Sequence, residues 1–342
     1  MTHGGNIYKY REVLDFSANI NPLGVPESVR RAVAESISDI DKYPDPECTA
    51  LREKLSAAED IPAENIVCGN GADDLIFRIV RALRPHKAMI CVPAFTEYSR
   101  SLKETGCEVY EHRLSEENGF ELTEHILEEL DSTFDVCIFC TPNNPTGKLI
   151  SPGLLEKISE NCERNGIYLL CDECFLGFVE DGQSFSLRRH MNSRSIILKA
   201  FTKLYAIPGI RLGYALFGDE ETADKVSRCG QFWSVSVPAQ QAGTAALDEE
   251  EFIRRTAEYV KEERDFLISV LRAAGAEVIE PAANFILSRS IAGLFEKMLR
   301  EGVLIRKCDD FSGLPDNYYR IAVRTHDENI RFSEALRRCI YG

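Results

Sequence analysis

"KAFTKLYAIPGIRLGY", residues Lys199 to Tyr214, places two cations, Lys203 and Arg211, eight positions apart among Ala, Ile, Leu, Gly and Pro. A lysine in apolar surroundings beside another cation loses part of its proton affinity and becomes a competent amine for Schiff-base chemistry. The arginine suits an anionic group such as a phosphate. The flanking runs, "SIILKA" and "LGYALFG", are short and apolar and read as buried strands.

Upstream, "NIVCG", "AMICV", "DVCIFC" and "IYLLCD" repeat the pattern. Between them lie amphipathic segments such as "PECTALREKLSAAED" (Pro46 to Asp60, with Asp45 as cap) and "SPGLLEKISENCERNG". Short apolar strands alternating with helices predict an α/β domain with a mostly parallel sheet. From Glu249 the texture changes to a long helical pattern, "EEEFIRRTAEYVKEERDFLISVLRAAG", closed by Gly275 and followed by "NFILSRS", "VLIRKC" and "YYRIAVR". This predicts a second, smaller α+β domain.

With 342 residues and 44% hydrophobic content, the chain can bury a large core. A formal net charge of -15 argues against nucleic acid and against an anionic membrane surface as partners. A small anionic molecule fits if a few arginines converge on one pocket. No signal-like start and no apolar run near the roughly 18 residues of a membrane span is visible, so a cytoplasmic location is expected. The twelve cysteines are expected as reduced thiols. Cys137 with Cys140 and Cys171 with Cys174 have the spacing of zinc ligands. Both pairs lie in or beside apolar runs that read as parallel strands, so packing is the expected role and no metal site is predicted.

Open α/β sheets bind ligands beyond the carboxyl ends of their strands. "GNGADD" (Gly69 to Asp74) precedes a helical pattern and reads either as a phosphate-holding helix start or as an ordinary turn. In "PAFTEY", Phe95 reads as a ring-stacking face or as core. In "TPNNPTG", Asn144 could reach a ring substituent, although the dipeptides there also make plain turns. Asp172, ending an apolar strand in "CDE", would be costly to bury without a cationic partner. With Lys203 and Arg211 the set describes a pocket for pyridoxal phosphate: an amine, a carboxylate for the pyridinium nitrogen and a cation for the phosphate.

The ordered motifs "GNGADD", "PAF", "TPNNPTG", "CDE" and "FTKLYAIPGIRLGY" resemble those of the fold-type I pyridoxal-phosphate enzymes, in the histidinol-phosphate aminotransferase branch, over essentially the whole chain. The resemblance implies a large domain, residues 36–240, with a mostly parallel seven-stranded sheet. A small domain would be made of residues 1–35 and 241–342. It also implies that Lys203 carries the cofactor, Asp172 pairs with the pyridine nitrogen, Asn144 meets the ring hydroxyl and Phe95 stacks on the ring. The backbone at Gly71, Ala72 and Asp73, with Thr202 and Arg211, would hold the phosphate. Tyr43 in "KYPDPE" would reach the phosphate of a neighbouring subunit, which implies a homodimer.

"HGGNI" (His3 to Ile7), "DFSANINPLG" (Asp15 to Gly24), "VLIRKC" and "YYRIAVR" are similar to the threonine-phosphate decarboxylases, which make aminopropanol phosphate for cobalamin assembly. In that pattern Arg320 would clamp the substrate carboxylate. Arg306, His3 and the backbone at Gly4 would meet its phosphate, and Asn19 would line the pocket. His3 also reads as a frayed terminus, and Arg324 as a solvated strand residue. Two positions depart from the wider fold's pattern: Phe175 has no hydroxyl for the cofactor oxygen, and Ala200 stands where a Ser or Thr commonly touches the phosphate. The expected reaction is decarboxylation of a phosphorylated amino acid. The alternatives are transamination with the same groups, and a cofactor-binding regulatory module without turnover.

Overall fold

The computed structural model describes residues 4–10 and 12–342. An N-terminal strand, β1 (Leu14–Asp15), is followed by β2 (Ile66–Gly69), β3 (Lys87–Val92), β4 (Glu108–Arg113), β5 (Val136–Cys140), β6 (Tyr168–Asp172), β7 (Ser195–Ala200) and β8 (Gly213–Phe217). Strands β2 to β8 form one seven-stranded sheet in the order β2-β8-β7-β6-β5-β3-β4. Pairing is parallel from β4 through β7, and β8 runs antiparallel to both of its neighbours. Six of the seven strands match the apolar runs of the sequence. β4, "EVYEHR", escapes notice because it is an edge strand whose side chains are largely solvated.

Apolar side chains on both faces explain why the inner strands read as continuous hydrophobic runs. On one face Val67, Ile90, Ile138 and Leu198 pack with Leu75, Ile79 and Leu102 of helices Ala72–Leu83 and Thr96–Glu104. On the other, Met89, Phe139, Leu169 and Ile197 pack with Leu51, Leu155 and Ala242 of helices Thr49–Glu59, Pro152–Asn165 and Val237–Ala246. The helix expected from Pro46 begins at Thr49. The cap position is taken by Cys48 and not by Asp45, whose Oδ2 accepts from the Thr49 N–H at 2.7 Å from the turn ahead of it.

The remaining strands are β9 (Glu277–Ile279), β10 (Phe285–Arg289), β11 (Val303–Leu304), β12 (Arg306–Lys307) and β13 (Tyr318–Ala322). They build an antiparallel sheet, β12-β13-β10-β9, and a small parallel pair, β1 with β11. "VLIRKC" therefore divides between two sheets: Val303 and Leu304 pair with the N-terminal arm, and Arg306 pairs with Arg320 on β13. Arg320 lies in the middle of its strand. Helices Glu250–Ala273 and His326–Tyr341 close a separate core over Phe16, Leu267, Ile286, Ile321 and Phe332.

Candidate active site

Strand β7 ends at Ala200, and one helical turn, Phe201–Leu204, carries Lys203. The turn is tied down from the N-terminal arm: the Asn21 N–H donates to the Lys203 carbonyl at 3.1 Å, and Asn21 Nδ2 donates to the Leu204 carbonyl at 2.6 Å and to Thr256 Oγ1 at 2.9 Å. Arg211 follows with a left-handed backbone, φ 61°, a conformation a non-glycine residue adopts at a cost. Its guanidinium lies against Gly71, where a Cβ would come within 2.5 Å of Nη2, and Gly71 itself has φ +87°. A Cβ on Gly213 would likewise come within 2.6 Å of the Ala72 nitrogen. Two glycines thus let Arg211 and the start of β8 nest around the N-terminus of helix Ala72–Leu83, where the first-turn N–H groups and the helix dipole favour an anion. Asp74 braces the loop, Oδ2 accepting from the Asn70 N–H at 2.9 Å while both oxygens hold Arg78.

At the end of β6, Asp172 is buried. Its Oδ2 accepts from the Tyr98 hydroxyl at 2.5 Å, and its Oδ1 accepts from the Cys174 N–H at 2.9 Å. Burial pushes this carboxyl above the usual range, against the pull of Cys174, Tyr98 and Lys203. Lys203 moves the other way: burial first, then the positive charges of Arg320 and Arg211, lower its ammonium to about 8. Phe95 stands at the cap of helix Thr96–Glu104, its ring meeting that of Tyr98 edge-on at 5.7 Å.

Arg320 is buried, Nη1 donating to Asn144 Oδ1 at 2.5 Å and Nη2 to the Ser17 carbonyl at 2.9 Å. Asn144 thereby spends its carbonyl on Arg320 and keeps its NH₂ for another acceptor. The Arg320 Nε and Asn19 Oδ1, both buried, have no hydrogen-bond partner among the described residues. Arg306, also buried, is held by Asp310 at 2.6 Å and by the Lys307 carbonyl, with its guanidinium 5.2 Å from the Phe311 ring centroid. Gly4 packs on the arm it belongs to: a Cβ there would lie 2.1 Å from the Ser17 carbonyl oxygen, and the neighbouring Gly5 N–H donates to Ser17 Oγ at 2.7 Å. Ser17 Oγ in turn donates to Asp15 at 2.6 Å. The "HGGN" and "DFSAN" segments are therefore two halves of one local structure.

One cavity of about 290 Å³ collects these groups. Lys203, Asp172, Phe95, Asn144, Thr202 and Arg211 line it with Ala72 and Asp73 at the helix start, while Gly4, Asn19, Arg306 and Arg320 line it from the arm and the second sheet. Gly71 adjoins it beneath Arg211. Phe175 and Ala200 lie in the same wall. One sequence candidate stands apart. Tyr43 is 77% exposed and stacks on Trp233, ring centroids 4.3 Å apart, away from this cavity. His3 lies outside the described residues. Arg324 is only half-buried, with Nη2 on Glu328 at 3.0 Å. The Cys137 and Cys140 side chains enter the cores on opposite faces of the sheet, as do those of Cys171 and Cys174, which separates each pair as ligands. Sequence reading missed Tyr98. Its signal was the three-residue step from Phe95, which puts both on one side of a helix start.

Over residues 11–336 the chain matches the family described as aminotransferase class I and II. It belongs to that family. This class I and II aminotransferase-family chain is 37% identical to the threonine-phosphate decarboxylase of Salmonella typhimurium, an alignment covering 99% of the chain and 97% of the relative. It is 29% identical to the histidinol-phosphate aminotransferase of Methanosphaera stadtmanae, over 96% and 90%. The solved histidinol-phosphate aminotransferase from Clostridium acetobutylicum superposes with a TM-score of 0.89 at 30% identity, covering 95% of this chain and 98% of that one. The fold is fold type I, and the cofactor of the family is pyridoxal 5'-phosphate. The cavity fits that group: a helix N-terminus opened by Gly71 for a phosphate, a low-pKa amine at Lys203, and a buried, doubly hydrogen-bonded carboxylate at Asp172.

Proposed function

We propose that the chain decarboxylates a phosphorylated amino acid, L-threonine O-3-phosphate to (R)-1-aminopropan-2-yl phosphate, a step of cobalamin assembly. The observation that carries this reading is the pairing of Arg306 with Arg320 across β12 and β13, both buried and both lining the cavity that holds Lys203. A substrate with a carboxylate and a phosphate needs two separate cationic anchors, and in an acidic chain two converging buried arginines are a specific provision for it. The naming of its relative from Salmonella typhimurium supports the same substrate.

Pyridoxal phosphate, when bound, supplies an electron sink for the pair left when a bond to the substrate's α-carbon breaks. Lys203 Nζ would hold the cofactor covalently at rest and, released when the substrate's amine takes its place, would carry the proton returned to the α-carbon after carbon dioxide has left. Asp172 keeps a negative charge at the ring-nitrogen end. Asn144 would donate to the ring oxygen, and Phe95 would cover the ring. The backbone at Ala72 and Asp73 would hold the cofactor phosphate, with Thr202 and Arg211 beside them and with Gly71, whose own N–H donates to the Gly69 carbonyl at 2.8 Å, leaving room for it. Arg320 orients the substrate carboxylate, using an Nε that has no hydrogen-bond partner among the described residues. Arg306, with the backbone at Gly4 and with His3, takes the substrate phosphate, and Asn19 closes the wall.

The division into residues 36–240 and 1–35 with 241–342 is supported by the pairing of β1 with β11. A homodimer is supported by the exposed apolar group of Tyr43, Phe232 and Trp233, through which Tyr43 would meet a second copy. A cytoplasmic location is supported by twelve free cysteines; no helix of the described residues is long and apolar enough to cross a membrane. Holoprotein incubated with O-phosphothreonine should release carbon dioxide and aminopropanol phosphate. Formation of glutamate from 2-oxoglutarate with histidinol phosphate, and no carbon dioxide from O-phosphothreonine, would replace this reading with transamination.

A further inference from the structure

Tyr98 is fully buried, and a phenylalanine would fill its place among Leu102, Ala94 and Ile138 equally well. A buried hydroxyl costs desolvation unless it is paired, so its presence calls for a partner. That partner is Asp172 Oδ2, at 2.5 Å. The same ring meets Phe95 edge-on, ring planes at 84°, and the Tyr98 N–H donates to the Phe95 carbonyl at 3.3 Å. One side chain therefore braces both the group placed at the face of the cofactor ring and the group placed at its nitrogen. The Cys174 N–H on Oδ1 completes the hold, because rotating the carboxylate would break one bond or the other. The other ionisable groups influencing Asp172 include Cys171 and Cys174 on and just beyond β6, Cys140 on β5 and Lys203 beyond β7.

We propose that Tyr98 is a positioning residue that fixes Asp172 and keeps it the weaker base of the pair it forms with the ring nitrogen, so that their shared proton stays on nitrogen. The inference rests on the cofactor reading above. A hydrogen bond donated to a carboxylate stabilises its charged form, and burial of Asp172 favours the neutral form. The donor from Tyr98 offsets part of that burial. Remove it, and the proton moves from the ring nitrogen to the Asp172 carboxylate; no other bond changes, but the ring loses its positive charge and with it part of its capacity as a sink.

The test is the ¹⁵N resonance of the holoprotein loaded with ring-¹⁵N pyridoxal phosphate, together with steady-state kinetics on O-phosphothreonine. In the parent the resonance should lie at the protonated-pyridine position. In Tyr98→Phe it should move downfield toward unprotonated pyridine, with kcat lower by about tenfold and KM within about twofold, because Tyr98 acts through Asp172 and not on substrate. A loosened pocket would weaken cofactor binding without moving the resonance. An unshifted resonance in a loaded Tyr98→Phe protein overturns the inference and leaves the cofactor reading intact. In an Asp172→Asn background, Tyr98→Phe should have no further effect on the resonance, and a further shift there also overturns it. If Tyr98→Phe does not fold or load, the double variant, which no longer strands a buried carboxylate, should recover loading; failure to recover counts against the inference. A parent protein that takes up no pyridoxal phosphate overturns both readings together.

Discussion

Arg306→Ala is the perturbation that bears most directly on the choice of substrate. Arg306 is 5% exposed, its guanidinium held between Asp310, the Lys307 carbonyl and the face of Phe311. It is therefore already oriented when substrate arrives, and little side-chain entropy is lost on binding. Deleting a charge-assisted hydrogen bond costs about 1.5 to 3 kcal/mol, or roughly 10- to 150-fold in kcat/KM. The cost should sit toward the upper end, because Arg306 also offsets the Asp310 carboxylate that it holds, and that charge then bears on an incoming phosphate. Threonine, which lacks the phosphate, loses none of this. The assay is carbon dioxide release from O-phosphothreonine and from threonine, with the ratio of their kcat/KM values as the readout. Arg306→Ala should lower that ratio by at least roughly tenfold, whereas Arg320→Ala should depress both substrates alike. An unchanged ratio in Arg306→Ala would refute the placement of the phosphate.

Lys203→Ala should leave the fold intact and abolish the borohydride-reducible link to the cofactor, checked by mass spectrometry after reduction. Cofactor uptake should depend on pH through the same residue: with its ammonium lowered to about 8, Lys203 is protonated below that value and a free amine above it, so the rate of holoprotein formation should rise from pH 6.5 and level off above pH 8 to 9. A flat rate across that window, followed by stopped-flow absorbance, would count against it. Gly4→Ala forces a Cβ into the Ser17 carbonyl, so the arm must shift; KM for O-phosphothreonine should rise several-fold while the affinity for pyridoxal phosphate holds, as titration of the apoprotein would read.

The sheet and the cofactor end of the cavity were legible in the sequence for one physical reason. Strands buried on both faces are apolar without interruption, so each stands out, and the polar residue ending each one marks the ligand side. Asp172 is of this kind, and Lys203 and Asn144 follow within a few residues of the ends of β7 and β5. β4 was not legible, because an edge strand keeps polar side chains and so lacks the pattern. The substrate end was harder. Arg306 and Arg320 meet across two consecutive strands joined by the loop 308–317, a register the sequence does not display, and the partners of Arg320, Asn144 and the Ser17 carbonyl, are set by tertiary structure. Tyr98 was hidden because an aromatic residue one turn into a helix reads as core, which most of its ring is; only its hydroxyl does anything else.

The antiparallel run of β8 has a consequence for how freely this chain can vary in length. Ala200 pairs with Gly213 and Lys199 with Tyr214, so Lys203 and Arg211 ride on a single hairpin-like connection whose two feet are locked in register. A residue inserted between Phe201 and Leu212 has no crossover helix to absorb it, and would push either the amine or the guanidinium away from Gly71. The link from β4 to β5, running along the outer margin from Arg113 to Val136, has no such obligation. Lineages of this fold should therefore lengthen and shorten there, and grafts or permuted termini should be tolerated there, while the connection that carries the two cations keeps its length.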